Sequence, residues 1–281
     1  MKKIIFKTLI LILFANYGFS QTNWQEITGP PGSSLNRVQF YDELNGYVIA
    51  NETKLYKTID GAESWTYLNI DMGLGGKVGN FHLFGDNTTL IATGLNYTQE
   101  YGRIFKSTDG GDNWEIKLEL DLRYFKGVYF LNQTVGWAWS EKYPNSYLYR
   151  TDDQGETWTE IYITSKKLMN LFFLDENVGW RCSRAGGHVA KTEDGGYTWV
   201  DQLNATGVGG INDVFFLDEQ MGYAAGDDRA LLKTMDGGVN WEFLSSANDP
   251  GILPPESATD WAVLDIHFID ENVGWIIGGP C

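Results

Sequence analysis

Two carboxylates in this 281-residue chain could do chemistry together: Asp213 and Asp265, which stand at matching places in two copies of a repeat. Paired carboxylates about 5 to 10 Å apart are what glycoside hydrolysis requires. An acid-rich chain offers such pairs by chance, however, and 37 Asp and Glu stand here against 21 Lys and Arg, a net charge of −16. The other reactive types are sparse. Three histidines (His82, His188, His267) lie far apart, and Cys182 and Cys281 are the only cysteines. Neither a zinc knuckle nor a disulfide framework can be built from them, so no metal, cofactor or redox chemistry is expected. The acidic balance also argues against nucleic acid as a partner, because binding a polyanion usually takes a basic face.

The elements that must position any site come from a repeat. Five segments share one template: TIDGAESW (Thr58 to Trp65), STDGGDNW (Ser107 to Trp114), TDDQGETW (Thr151 to Trp158), TEDGGYTW (Thr192 to Trp199) and TMDGGVNW (Thr234 to Trp241). Their acidic third positions, Asp60, Asp109, Asp153, Asp194 and Asp236, fall 41 to 49 residues apart, and Lys57, Lys106, Arg150, Lys191 or Lys233 precedes each box. A second signature lies about twenty to twenty-five residues upstream of each box or stands alone near the end: FYDELNGY, FLNQTVGW, FLDENVGW, FLDEQMGY and FIDENVGW, from Phe40, Phe130, Phe173, Phe216 and Phe268. A worn copy, FGDNTTLI, starts at Phe84, with Leu90 in place of the glycine.

Within one unit, VFF, GYAAG, RALLKT and WEFL are short β-type runs separated by Asp and Gly turns. Four strands in 40 to 45 residues is the size of one propeller blade. The predicted fold is all-β, a propeller of four-stranded antiparallel blades, with units near 34–69, 78–118, 124–162, 168–203 and 210–245. A partial blade combines 262–281 with 22–28, where Trp24 in NWQEI resembles the strand after each box. An open last blade would leave an unpaired edge, so the expectation is about six blades with the last incomplete, or a fragment of a seven-bladed ring. In each box the Asp is read as a turn staple that accepts backbone N–H groups, and the Trp (Trp65, Trp114, Trp158, Trp199, Trp241) as a wedge between blades. Five catalytic aspartates are not expected, since a site is seldom built five times on one scaffold.

These boxes resemble the Asp-box (BNR) repeats of sialidases, sortilin-type receptors and xyloglucanases. Paired with the upstream F-x-D-x-x-x-G-W turn, they look closest to the photosystem II assembly and stability factors and their non-photosynthetic bacterial relatives. The resemblance covers residues 24 to 278. It implies a propeller whose boxes lie on outer turns, away from a central site, and a role in protein binding or complex assembly without catalysis. Family members in photosynthetic organisms are thought to dock through basic residues, a character that this acidic chain does not repeat. A sialidase would need an arginine cluster and a FRIP-like segment. No FRIP or YRIP occurs, and only Arg37, Arg103, Arg123, Arg150, Arg181, Arg184 and Arg229 are present.

Propellers usually bind ligands at an axial mouth lined by the starts of the innermost strands. Here those positions are Asn36, Arg37, Asn80, Lys126, Asn170, Asn212, Asp213 and Asp265. Loops over 69–80, 205–213 and 244–261 would surround them, the last a proline-containing lid, and Tyr97, Tyr101, Tyr143 and Tyr147 could serve as anchors. A protein partner of the envelope or a secreted one is expected, with carbohydrate as the alternative ligand of a glycosidase or glycan-binding propeller. Lys2 and Lys3 before the apolar run Ile4 to Phe14, then Gly18 and Ser20, read as a signal peptide cleaved after Ser20. The mature chain would be exported, periplasmic, secreted or at the cell surface, without a transmembrane segment, since the run is shorter than the roughly 20 residues a spanning helix needs.

Overall fold

In the computed structural model the described residues are 10–13, 29–30, 35–50, 54–184, 186–204, 209–245, 261–271 and 273–280. They contain strands and turns, and among them no helix is long and apolar enough to cross a membrane. The short segment β1 (Ile10–Leu13) pairs antiparallel with a late strand. The other strands fall into two compact units, each made of successive antiparallel sheets.

The first unit holds three four-stranded meanders: β2 (Leu35–Phe40), β3 (Gly46–Ala50), β4 (Lys54–Thr58) and β5 (Thr66–Leu68); β6 (Lys77–Leu83), β7 (Leu90–Asn96), β8 (Tyr101–Ser107) and β9 (Glu115–Asp121); β10 (Tyr124–Phe130), β11 (Gly136–Lys142), β12 (Asn145–Thr151) and β13 (Thr159–Thr164). The second holds β14 (Leu168–Phe173), β15 (Gly179–Ser183), β16 (His188–Thr192) and β17 (Val200–Asn204), then β18 (Ile211–Phe216), β19 (Gly222–Gly226), β20 (Leu231–Thr234) and β21 (Glu242–Ser245). Its last sheet is β22 (Trp261–Phe268) and β23 (Gly274–Pro280), with β1 against β23 in register Ile10 with Gly278 and Leu13 with Trp275. The strand beside β23 therefore comes from within the expected leader. The segment around Trp24, expected there, lies outside the described residues, as do most of the leader and residues 246–260 of the proline-containing loop.

The two sequence signatures are the two turns at one end of each sheet, and they are tied together. In the first box the Thr58 hydroxyl donates to Asp60 (2.8 Å) and accepts from Ala62 N–H (2.9 Å), while Asp60 accepts from Ser64 N–H (2.9 Å) and the Ser64 hydroxyl. The same set recurs around Asp109, Asp153, Asp194 and Asp236. These donors favour the ionised carboxylate, and hydrogen bonds led by the Ser64 side chain lower Asp60 to about 2, while those led by the Asn113 backbone lower Asp109 to about 2. The N–H of the fourth box residue then donates to a carbonyl of the upstream turn in the same sheet: Gly61 to Leu44, Gly110 to Thr88, Gln154 to Thr134, Gly195 to Asn177 and Gly237 to Gln220, at 2.8 to 2.9 Å. This is why the signatures travel as a pair.

Position four of the box needs a left-handed backbone. Four boxes place glycine there, and the third places Gln154 at φ 60°. A side chain in that conformation costs about 1–2 kcal/mol, offset in part by the extra unfolded-state entropy of glycine. Gln154→Gly is therefore expected to stabilise the protein by about 0.5–1 kcal/mol, read as a rise of about 2 °C in thermal unfolding. An unchanged or lower midpoint would refute the strain.

The glycine of the upstream turn has a steric cause. A Cβ on Gly136, Gly179, Gly222 or Gly274 would come within 2.4 to 2.5 Å of the ring of Phe130, Phe173, Phe216 or Phe268, the residue paired with it across the hairpin. The worn copy is offset by one residue from its sequence alignment. Leu83, not Phe84, faces Leu90 across the hairpin, and Phe84 instead packs against His82 (4.9 Å) and Phe130 (4.7 Å). With no ring to lie over it, position 90 can carry a leucine.

Neighbouring sheets lock through the residues that flank these motifs. Trp114, Trp158 and Trp241 pack against clusters that include residues of the preceding sheet, and Trp65, Trp158, Trp199 and Trp241 also lie edge-on to their own sheet's Phe at 5.8 to 6.4 Å. The aromatic after the glycine reaches forward: Tyr47 Oη donates to the Gly110 carbonyl (3.2 Å) and Trp180 Nε1 to that of Gly237 (3.2 Å). The cation before the box covers that aromatic ring, as Lys57 over Tyr47, Arg150 over Trp137, Lys191 over Trp180 and Lys233 over Tyr223 at 5.3 to 5.7 Å. Lys57 and Lys106 also donate to the next box's fourth carbonyl.

Candidate functional site

The end of each sheet opposite the paired turns carries the start of the innermost strand. All six of these strands break register there: between Leu35 and Arg37, Val78 and Asn80, Phe125 and Gly127, Leu168 and Leu171, Ile211 and Asp213, and Val263 and Asp265. A bulge adds a residue opposite one partner and re-aims side chains, and bulges concentrate beside sites. Every candidate site residue lies on or beside one of these bulges. The bulge itself was not legible, because an extra residue in a strand leaves no composition signal. Its trace is the recurrent Asn or Asp three residues before the strand's end.

In the first unit the candidates have different surroundings. Asn36 and Arg37 are exposed on β2, while Asn80 is buried and its Oδ1 accepts from the next backbone N–H, that of Phe81 (2.7 Å). Lys126 Nζ hydrogen-bonds the Tyr97 hydroxyl (3.2 Å), lies 5.8 Å from that ring's centre, and is 3.7 Å from Glu141. Tyr97 stacks obliquely on Tyr124 at 4.6 Å. Of the four tyrosines considered as anchors, Tyr97 (52%) and Tyr143 (98%) are exposed. Tyr101 and Tyr147 are buried structural residues: Tyr101 donates to the Met72 carbonyl, and Tyr147 carries Arg123 over its ring at 3.7 Å.

The second unit does bring its candidates together. Asn170 on β14 donates from Nδ2 to Asp213 Oδ1 on β18 (2.6 Å), and Asp213 Oδ1 also accepts from Val214 N–H (2.8 Å). Asp213 Oδ2 accepts from the Ile266 N–H of β22 (2.8 Å). Beside them Asn212 Nδ2 donates to Asp227 (3.0 Å) and to the Val263 carbonyl (3.1 Å), and Arg184 pairs with Asp227 (3.0 Å). Asp213 is thus not displayed toward a ligand, at 3% exposure, whereas Asp265 is exposed. Burial, reinforced by the Asp265 charge, raises the Asp213 carboxyl well above the ordinary range despite its three N–H donors. The same cluster buries Cys182, whose thiol is pushed up by burial and by Asp213. Asparagines bond both ways, so Asn170 and Asn212 bridge strands that no backbone ladder joins.

Sheets of this repeat, joined in meander order, define an all-β propeller of about six blades. No protein-family model matches the chain. It is 24% identical over 316 residues to photosystem II assembly lipoprotein Ycf48 of Picosynechococcus sp., an alignment covering 92% of this chain and 86% of that relative. Among solved structures it is similar to YCF48 bound to D1 peptide, with a TM-score of 0.50 and 18% identity over 95% of this chain and 94% of the other. It is also similar in fold to the GH74 xyloglucanase of Xanthomonas campestris, with a TM-score of 0.63 and 15% identity, over 87% of this chain and 41% of that one.

Proposed function

We propose that this chain is an exported, non-catalytic Asp-box propeller that binds a protein partner and acts as a complex-assembly module, in the manner of the Ycf48-type assembly factors. The observation that carries this reading is an alignment with an assembly factor that runs through 92% of the chain rather than through one repeat. The boxes are assigned a structural role, and binding is assigned to the end that carries the inner-strand starts. There Lys126 with Tyr97, and the exposed Tyr143, offer the amphipathic contacts that interfaces favour. A leader cleaved after Ser20 would deliver the chain to an envelope or secreted partner.

The test is affinity capture of the tagged mature chain from its native envelope, with crosslinks placed by mass spectrometry. Stoichiometric crosslinks to one protein at Lys126 or Lys142 are expected, and Tyr97→Ala with Tyr143→Ala should cut that capture at least about tenfold while leaving thermal unfolding within a degree or two. Recovery of glycans with no protein above background would overturn the reading in favour of a carbohydrate-binding propeller.

A further inference from the structure

We propose that the outer edge of β23 is a strand-acceptor site, which in the processed protein takes an extended segment of a partner protein that reads apolar, apolar, then Lys or Arg. This rests on the proposed function for removal of the leader and for a protein as the partner. Strand order in the last sheet is β22, β23, β1, so β1 holds the third place, which the strand leading into the box holds in the other five sheets. β23 is made for an interior position. The outermost strands β9, β13, β17 and β21 each carry a charged residue, and β5 is three residues long, features that keep edges from pairing. β23 reads GWIIGGP, with no charge and a proline only at its end. Its outer N–H and C=O groups form a ladder with a strand that need not be its neighbour in sequence, as the pairing with β1 from the other end of the chain demonstrates.

The register specifies the occupant. In the five complete sheets the residue after the turn's glycine, or after its counterpart Leu90, is paired with a cation: Lys57, Lys106, Arg150, Lys191 or Lys233. The two residues before each cation are apolar and buried, as Leu231 and Leu232 are before Lys233. In four of the sheets the cation lies 5.3 to 5.7 Å from the centre of the aromatic ring opposite it. β1 takes the same direction and register, with Leu11, Ile12 and Leu13 paired with Ile277, Ile276 and Trp275. Its sequence supplies the two apolar residues, but Leu13 stands opposite Trp275, where the cation belongs. A segment with Lys or Arg at that position adds a cation–π contact that the leader cannot make, and a chain of net charge −16 attracts a cationic segment. The chain's own residues 22–28, TNWQEIT, hold no Lys or Arg and resemble the fourth strand of a unit, so they do not meet the pattern.

The test titrates the chain processed after Ser20, and beside it the full chain, with the peptide acetyl-Ala-Leu-Leu-Lys-Thr-amide, a copy of the third strand of the preceding sheet, followed by NMR. In the processed chain the peptide should shift the Trp275 indole signal and slow amide exchange along Ile276 to Gly278. The full chain, whose edge β1 holds, should not respond. Norleucine in place of the peptide's lysine should weaken binding at least about threefold, and Trp275→Leu should erase that preference while the norleucine peptide still binds through the backbone. Should Trp275→Leu fail to fold, the lysine and norleucine peptides compared on wild type decide. No response along β23, equal binding of the two peptides to wild type, or an equal response of the full chain would overturn the site. Saturating peptide should also displace the protein captured from the envelope. Capture that it leaves undiminished overturns this inference and leaves the proposed function standing; failure to capture any protein, with the peptide still seated on β23, overturns the proposed function while supporting the acceptor edge.

Discussion

Trp180→Ala is expected to destabilise the protein by about 3–5 kcal/mol, among the largest costs of any single truncation in the chain. Trp180 is fully buried, stacks on Phe216 with ring centroids 3.5 Å apart and planes 9° apart, and donates Nε1–H to the Gly237 carbonyl. Truncation removes a large ring from between two sheets of the second unit, leaves a cavity lined by Val189, Val214 and Phe216, and strips that carbonyl of a donor. Trp180→Phe keeps an apolar ring and loses the hydrogen bond, so it should cost closer to about 1–2 kcal/mol. Urea unfolding at constant m-value measures both. A loss under about 1 kcal/mol for the alanine variant would mean that the sheets are held elsewhere. The neighbouring repeat makes the same kind of contact with other residues, Tyr223 stacked on Phe268 at 3.8 Å.

The second large effect is at Gly222. A Cβ there would sit 2.5 Å from Phe216, and the ring cannot retreat because its other face lies on Trp180. Gly222→Ala should therefore cost about 2–3 kcal/mol, the upper part of the overpacking range. The worn repeat supplies the control. Where Leu83 takes the place of the phenylalanine, Leu90 takes that of the glycine and is fully buried without conflict. Phe216→Leu in the Gly222→Ala background should then restore about 1–2 kcal/mol relative to the sum of the single changes, a coupling of the size seen between residues in contact. Strict additivity would show that the motif's glycine serves the backbone and not the ring.

These two expectations mark where reading along the chain stops. The phenylalanine, the glycine and the aromatic after it were visible as a recurring F-x-D-x-x-x-G-W, and their spacing was enough to place a hairpin. That the ring lies flat over the glycine was not visible, because it depends on cross-strand pairing, and neither was the one-residue offset that seats Leu83 at the Phe84 copy. The cation before each box is a visible repeat feature, but its place over the aromatic paired with it on the preceding strand depends on strand register, and the reach of Lys57 and Lys106 to the following box's carbonyl appears only when two sheets are adjacent.

The candidate site divides in the same way. Its eight positions precede the turns on the innermost strands, and all eight lie at one kind of place, on or beside the register break of an inner strand. Polarity alone suggested that they would be displayed. Asn80 turns back on its own backbone, and Asp213 is buried against Asn170 and the Ile266 N–H, because a bulge orphans backbone N–H groups that a nearby carboxyl or amide must satisfy. Tyr101 and Tyr147 likewise went inward, while Tyr97 and Tyr143 stayed out.

What the sequence by itself determined about this protein is whatever is local and repeated: the strand and turn order, the box staple with its Thr or Ser, Asp and left-handed residues, and the number of sheets. Each follows from contacts within a few residues, so five or six copies report the same physics. Tertiary structure decided the rest, namely which aromatic reaches which neighbouring box, which site residues are covered, and that the buried Asp213 carboxyl is bonded by Asn170, 43 positions before it, and by the Ile266 N–H, 53 positions after it. Those outcomes depend on packing between sheets, where a one-residue bulge changes the direction of a side chain without changing the pattern that encodes the strand.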